Sequence, residues 1–188
     1  MSTVNEAKFK NTVLAILTVR PGLGSVQLRK ALIIADALHH SLFGESFTGT
    51  RYIKFPHGPV PDFDAFNILN RMYYEENLID IIEEPEGSIT KNSYFALQTP
   101  DATAFTEEED KIIRFAANVA LKYSASKLSD MTHDDVFNNT PMRGEIPLDR
   151  VCTMTITGRF DTPKFTDEEK IDLIKVLSTD EARQFTFV

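Results

Sequence analysis

The chain has 188 residues, 42% hydrophobic and 26% charged, with no tryptophan, one cysteine and a net charge of −8. That balance fits an ordinary globular protein with a proper core, and it excludes a disordered chain or a disulfide-stapled scaffold. The longest apolar run falls short of a membrane span, and MSTVNEAKFKN lacks the charged-then-apolar order of a secretory signal, so a cytoplasmic protein with no membrane role is expected.

Charge is unevenly distributed. Residues 1–72 carry eight Lys or Arg against five acids, or +3, and the remainder carries twelve against twenty-three, or −11. Phosphate contacts dominate nucleic-acid affinity, so the acidic part weighs against a nucleic-acid partner and suits a basic protein surface. Cys152 cannot form an internal disulfide and reads as a small packed hydrophobe.

Taken in order, residues 5–19 place Phe9, Val13, Ile16 and Leu17 at helical spacing, which predicts a first helix ending before Pro21. Pro21, Gly22 and Gly24 make a turn. The stretch Ser25–Phe43, SVQLRKALIIADALHHSLF, is apolar at Leu28, Ala31, Leu32, Ala35, Leu38 and Leu42, with Ile33, Ile34 and Ala37 on much of the other side. A helix apolar nearly all round is buried, so this one is the expected hub, with Ser25 as N-cap and Gly44 at its C-terminal cap. Asp36 interrupts it, three and four residues before His39 and His40. The favoured reading is an exposed edge at which Asp36, His40 and Arg29 reach water; the alternative is a buried, satisfied contact.

TRYIKF reads as a short strand, and HGPVP, residues 57–61, as sharp punctuation, because proline fixes φ. Asp62 can cap a third helix with Phe63, Phe66, Leu69 and Tyr73 as its apolar stripe. LIDIIEE and SYFALQ, joined by a loop with Pro85 and Gly87, predict a two-stranded wing that packs on the helices. Thr106 to Glu109 has the spacing of a capping box and opens a helix with Ile112, Ile113, Ala116, Val119 and Ala120 inward. A short helix over Ala125–Met131 follows, then an irregular arm with Pro141, Gly144 and Pro147. TMTITGRF alternates like a strand, and a second capping box at Thr166 to Glu169 opens a helix to about Leu177. The fold class is therefore mainly α with a small β-hairpin (α+β). Residues 1–150 form a compact helical domain with a wing-like hairpin, and residues 151–188 add a strand and a short helix packed on it.

Chemistry-bearing motifs are sparse. His39, His40, His57 and His133 are the candidate metal ligands, but adjacent helical histidines point about 100° apart, so no metal or cofactor is expected. No nucleophile sits in a G-x-S-x-G elbow and no phosphate loop or dinucleotide fingerprint is present, so the chain is not expected to be an enzyme. His133 with Asp134 or Asp135 is the set that a hydrolase or metal enzyme would have to use. Phe43, Phe47, Tyr52, Phe55, Phe63 and Phe66 gather around the proline-rich loop, where they pack a core or line a recognition surface. The alternative to a protein-binding module is a winged-helix-like DNA-binding regulator built on the first two helices and the wing. Its weakness is that the second helix is too apolar for a groove, with Arg29 and Lys30 as its only arginine and lysine.

The order QLRKALIIADALHHSLFGESFTG, FPHGPVPDF and then FTEEEDKIIRFAANVALKYSASKLSDMTHDD resembles the Panacea, or SocA-like, antitoxin domain family over roughly residues 24–145. In that family a helix of the KLQKLLYFAQ type leads to a WxYGPV loop, and a later helix leads to an LselTH segment. Gly58, Pro59, Val60, Leu128, Thr132 and His133 match. Phe55 and His57 stand where the family has Trp and Tyr, and Phe137 stands in for its tryptophan after the TH segment. The resemblance implies an antitoxin that neutralises a cognate toxin encoded beside it by direct binding. The type member also delivers its toxin to the ClpXP protease, which extends the expectation to a proteolytic adaptor. The partner-binding residues expected on this basis are Phe55, His57, Gly58, Pro59 and Val60, with residues 151–188 as a toxin-specific addition.

Overall fold

Local signals set most of the boundaries. In the computed structural model, residues 4–148 are described, apart from Ser88 and Asp134. Six helices are described: α1 Glu6–Val19, α2 Ser25–Phe43, α3 Phe63–Tyr74, α4 Glu107–Lys122, α5 Ala125–Met131 and α6 Asp135–Asn139. The strands are β1 Leu23–Gly24, β2 Tyr52–Phe55, β3 Gly58–Pro61, β4 Ile79–Glu86, β5 Ile89–Ala96 and β6 Glu145–Ile146. They form two three-stranded sheets, ordered β1-β5-β4 and β3-β2-β6, in a mainly helical α+β fold. Cys152, the TMTITGRF strand and the helix expected after Thr166 lie outside the described residues.

Caps explain where the helices start. Asn5 caps α1 by accepting from the Lys8 N–H at 3.1 Å, and Asp62 caps α3 by accepting from the Ala65 N–H at 3.1 Å. The expected capping box on α4 is present: Thr106 Oγ1 accepts from the Glu109 N–H at 3.2 Å and Glu109 Oε2 accepts from the Thr106 N–H at 2.8 Å. Ser25 is not the cap of α2. Gly24 holds that position, its N–H donating to Gln27 Oε1 at 3.0 Å, because the longer glutamine reaches back from the first turn. Gly44, at φ 85°, ends α2 in the left-handed conformation as expected.

The hub expectation holds in its geometry. α2 touches α1, α4, α5, the edge strand β1 and the central strand β5 of the wing sheet, and β3. Its first half, Leu28, Ala31 and Leu32, belongs to a core with Phe9, Val13 and Leu17 of α1 and Ala65, Ile68 and Met72 of α3. Its second half, Ile34, Leu38 and Leu42, belongs to another core with Ile112, Phe115 and Val119 of α4 and Leu128 of α5. One helix thus serves two clusters.

Five expectations change. HGPVP is not all turn: Pro56 and His57 make the turn and Gly58–Pro61 pairs with β2, from Phe55↔Gly58 to Tyr52↔Pro61. Likewise Pro85 lies within β4 opposite Thr90 rather than in the connecting loop. Both strands sit at the edge of their sheets, where a missing N–H costs no ladder bond. The wing has a third strand, since Leu23 pairs with Tyr94 and Gly24 with Ser93. The arm expected to be irregular contributes β6, which pairs Ile146 with Tyr52. Finally, α3 turns Ala65, Ile68 and Met72 inward, leaving Phe63 75% and Phe66 53% exposed. Of the expected stripe, Leu69 and Tyr73 pack against the core.

Candidate functional site

Asp36 is fully buried, which overturns the exposed-edge reading. Its Oδ1 accepts from Ser46 Oγ at 2.9 Å and from the Thr48 N–H at 2.7 Å. Oδ2 accepts from Thr48 Oγ1 and from the Tyr52 hydroxyl, each at 2.7 Å. Four donors offset the cost of desolvating a carboxylate. Burial still pushes the carboxyl above its ordinary range, and the donors pull it back. His39 is also interior, with Nδ1 2.8 Å from the Glu45 carbonyl and Nε2 3.5 Å from Glu109 Oε1. The cluster ties the segment after α2 to that helix. Among the described residues no group of three or more His, Cys, Asp or Glu converges to hold a metal ion.

Lys30 marks a second buried junction. The side chain is 2% exposed, and Nζ donates to Thr132 Oγ1 at 2.6 Å. Thr132 Oγ1 also lies 3.2 Å from the Leu128 carbonyl and 3.0 Å from that of Ser129. Gly58, at φ 108°, closes the junction from the β2-β3 side, and a Cβ there would overlap the Lys30 ammonium. Ser129 Oγ donates to the His57 carbonyl at 3.1 Å, fastening the hairpin turn to α5. Burial, with Arg29 adding like charge, pushes the Lys30 ammonium down to about 7. Burial and then the Lys30 charge hold His133 below its ordinary value, and its ring stacks on Phe137 at 4.2 Å. The QLRK, HGPV and TH stretches, far apart in the chain, therefore meet at one point.

Beside this junction a groove of about 560 Å³ opens between the first half of α2, the β2-β3 hairpin, α3 and Tyr94 of the wing. Leu28, Leu32, Ile53 and Leu69 form its apolar floor and walls, and Phe55, Phe63 and Phe66 stand exposed around it. Arg29 and Arg143 reach it from opposite elements. Asp62, the acid in its lining, is already committed, because Arg51 Nε lies 3.1 Å from its Oδ2 while its Oδ1 caps α3.

The five residues expected to bind a partner divide. Phe55 and Val60 line the groove, His57 is exposed at the hairpin tip, and Gly58 and Pro59 are buried. Phe63 and Phe66, from the aromatic set expected either to pack a core or to line a recognition surface, complete the groove with Arg29 and Arg143, neither of which was expected as a site residue. The expected stripe on α3 ran through Phe63, Phe66, Leu69 and Tyr73, and only the packing of Ala65, Ile68 and Met72 shows that its first two rings face outward.

The fold and the Lys30–Gly58–Thr132 junction define a mainly helical α+β domain held together by three separated sequence stretches. A family model described as antitoxin SocA-like, Panacea domain matches residues 28–136, and the chain belongs to that family. The junction and most of the groove fall within the matched residues. Comparison with curated proteins and with solved structures gave no match. No described helix is long and apolar enough to cross a membrane.

Proposed function

We propose that this chain is an antitoxin that neutralises a cognate toxin by direct, non-enzymatic binding, and that the groove beside the β2-β3 hairpin is the contact surface. The observation that carries this reading is the exposure of Phe55, Phe63 and Phe66 around one apolar depression. Scattered single hydrophobics are ordinary on a surface, whereas grouped aromatics at a depression mark an interaction site. The family's antitoxin description supplies the class of partner. Phe55 and Val60 are the expected binding residues that fit this surface directly, and Gly58 and Pro59 act by holding the hairpin in place. His57, at its tip, is a contact at the groove's margin. Delivery of the toxin to ClpXP is a second step that the same surface would serve, with the toxin held on the adaptor. The cytoplasm, where a toxin encoded beside this chain would meet it, is the proposed location.

The test is co-expression with the product of the adjacent gene. Expressed alone, that product should arrest growth; with this chain present, growth should resume. The double substitution Phe63→Ser, Phe66→Ser should abolish rescue while leaving the melting temperature nearly unchanged, because neither ring is in the core. An adjacent gene without toxicity would remove the antitoxin reading, and rescue by the double variant would move the contact surface elsewhere.

A further inference from the structure

Most of this molecule repels acids: its net charge is −8, and the acidic excess lies after residue 72. The groove is an exception. Arg29 and Arg143 both line it, and neither has a carboxylate partner among the described residues. Arg29 uses Nε to donate to the Ser25 carbonyl of its own helix at 3.1 Å, which leaves its two terminal amines for another acceptor. Asp62 contributes no net negative charge, since Arg51 neutralises it. The depression thus offers apolar walls, exposed aromatic rings and two guanidinium groups without a carboxylate partner among the described residues.

We propose that the groove receives an acidic amphipathic segment of the partner, its apolar side chains seated against Leu28, Leu32 and Phe66 and a carboxylate held by Arg29. The inference rests on the groove being the toxin-contact surface, and it adds the chemistry of what is bound. A guanidinium is the side chain suited to this task, because its planar fork matches a carboxylate with two parallel hydrogen bonds. Its anchoring by Ser25 holds the fork in place before the partner arrives, which reduces the ordering cost of binding. Desolvation by apolar neighbours strengthens the attraction once water is displaced. A basic segment would instead meet two arginines without compensation, and like charges at an interface select against the wrong partner.

Two fluorescently labelled synthetic helical peptides would test this on the full chain, both with the same leucine positions, one with glutamate and the other with lysine on the remaining face. Overall charge favours the lysine peptide, so the two explanations predict opposite orders. The acidic peptide should bind about tenfold more tightly at physiological salt, and Arg29→Met should bring the two to near parity. Phe66→Ser should weaken both. Tighter binding of the lysine peptide, or an acidic preference that survives Arg29→Met, overturns the proposal. Growth rescue separates the two levels of inference. Rescue without acidic preference sinks the partner chemistry alone, and acidic preference with a non-toxic neighbour sinks the antitoxin reading while supporting the groove chemistry.

Discussion

A lysine buried along its whole length with one hydroxyl acceptor is an uncommon choice for a core, and Lys30 has a measurable consequence. Its folded value, about 7, lies well below the ordinary 10.5. Between those values the unfolded chain binds more protons than the folded one, so the stability contributed by this site rises with pH and is lost as pH falls toward 7. The melting temperature of the native chain should therefore climb between about pH 7 and pH 9, and Lys30→Met should flatten that climb. The window stops there because Tyr52 and Tyr94, whose phenols burial pushes upward, titrate at still higher pH. An unchanged slope in Lys30→Met would mean that the ammonium reaches water. Asp36 shows why such residues resist reading from sequence. A carboxylate within an apolar helix looks like an edge until its donors are known. Here all four come from Ser46, Thr48 and Tyr52, in a segment that reads as irregular until the short strand holding Tyr52.

At the scale of elements, helix starts and sheet-forming stretches were legible, and the inward faces were legible only where the polar face was clear. The TEEE box on α4 and the Asp62 cap of α3 are local hydrogen-bond patterns, and spacing alone identifies them. The inward face of α3 is tertiary, set by what α1 presents to it, so of the one expected stripe Leu69 and Tyr73 pack against the core while Phe63 and Phe66 face outward. Prolines misled in a consistent way: they exclude a central strand, not an edge one, so β3 and the Pro85 end of β4 were read as loops. The β2-β3 hairpin also carries the sharpest steric test. Gly58→Ala would place a methyl group against the Lys30 ammonium in a backbone conformation that L-residues rarely adopt. It should cost about 3 kcal/mol or more in urea unfolding. Combining it with Lys30→Ala should recover part of that loss, because only the strain would remain. Full additivity of the two substitutions would show that the side chains do not meet.

For the molecule as a whole, the class and the hub were within reach of the sequence, and the groove was not. Composition and period predict that α2 is buried, and the resemblance motifs predict the family, yet neither shows that three stretches close on one lysine. The groove's charge is likewise invisible in a net value, because it depends on which arginines end without a partner. Placing an unpaired charge in α2 tests the hub: Ile34 is 4% exposed, and Ile34→Asp should cost about 4 kcal/mol or more, a large share of a typical domain's stability. Its cooperative melting transition should disappear, and an unchanged transition would show that the second core does not depend on α2. Because this helix contributes to both clusters, neither can open without exposing part of it. Amide protons along α2 should then exchange only through global opening, at one common free energy from Leu32 to Leu38. The exposed stretch of β4 over Ile82, Glu83 and Glu84 should exchange sooner. A domain wired in this way has no half-folded form in which one cluster survives, so a protease would meet it either intact or wholly unfolded.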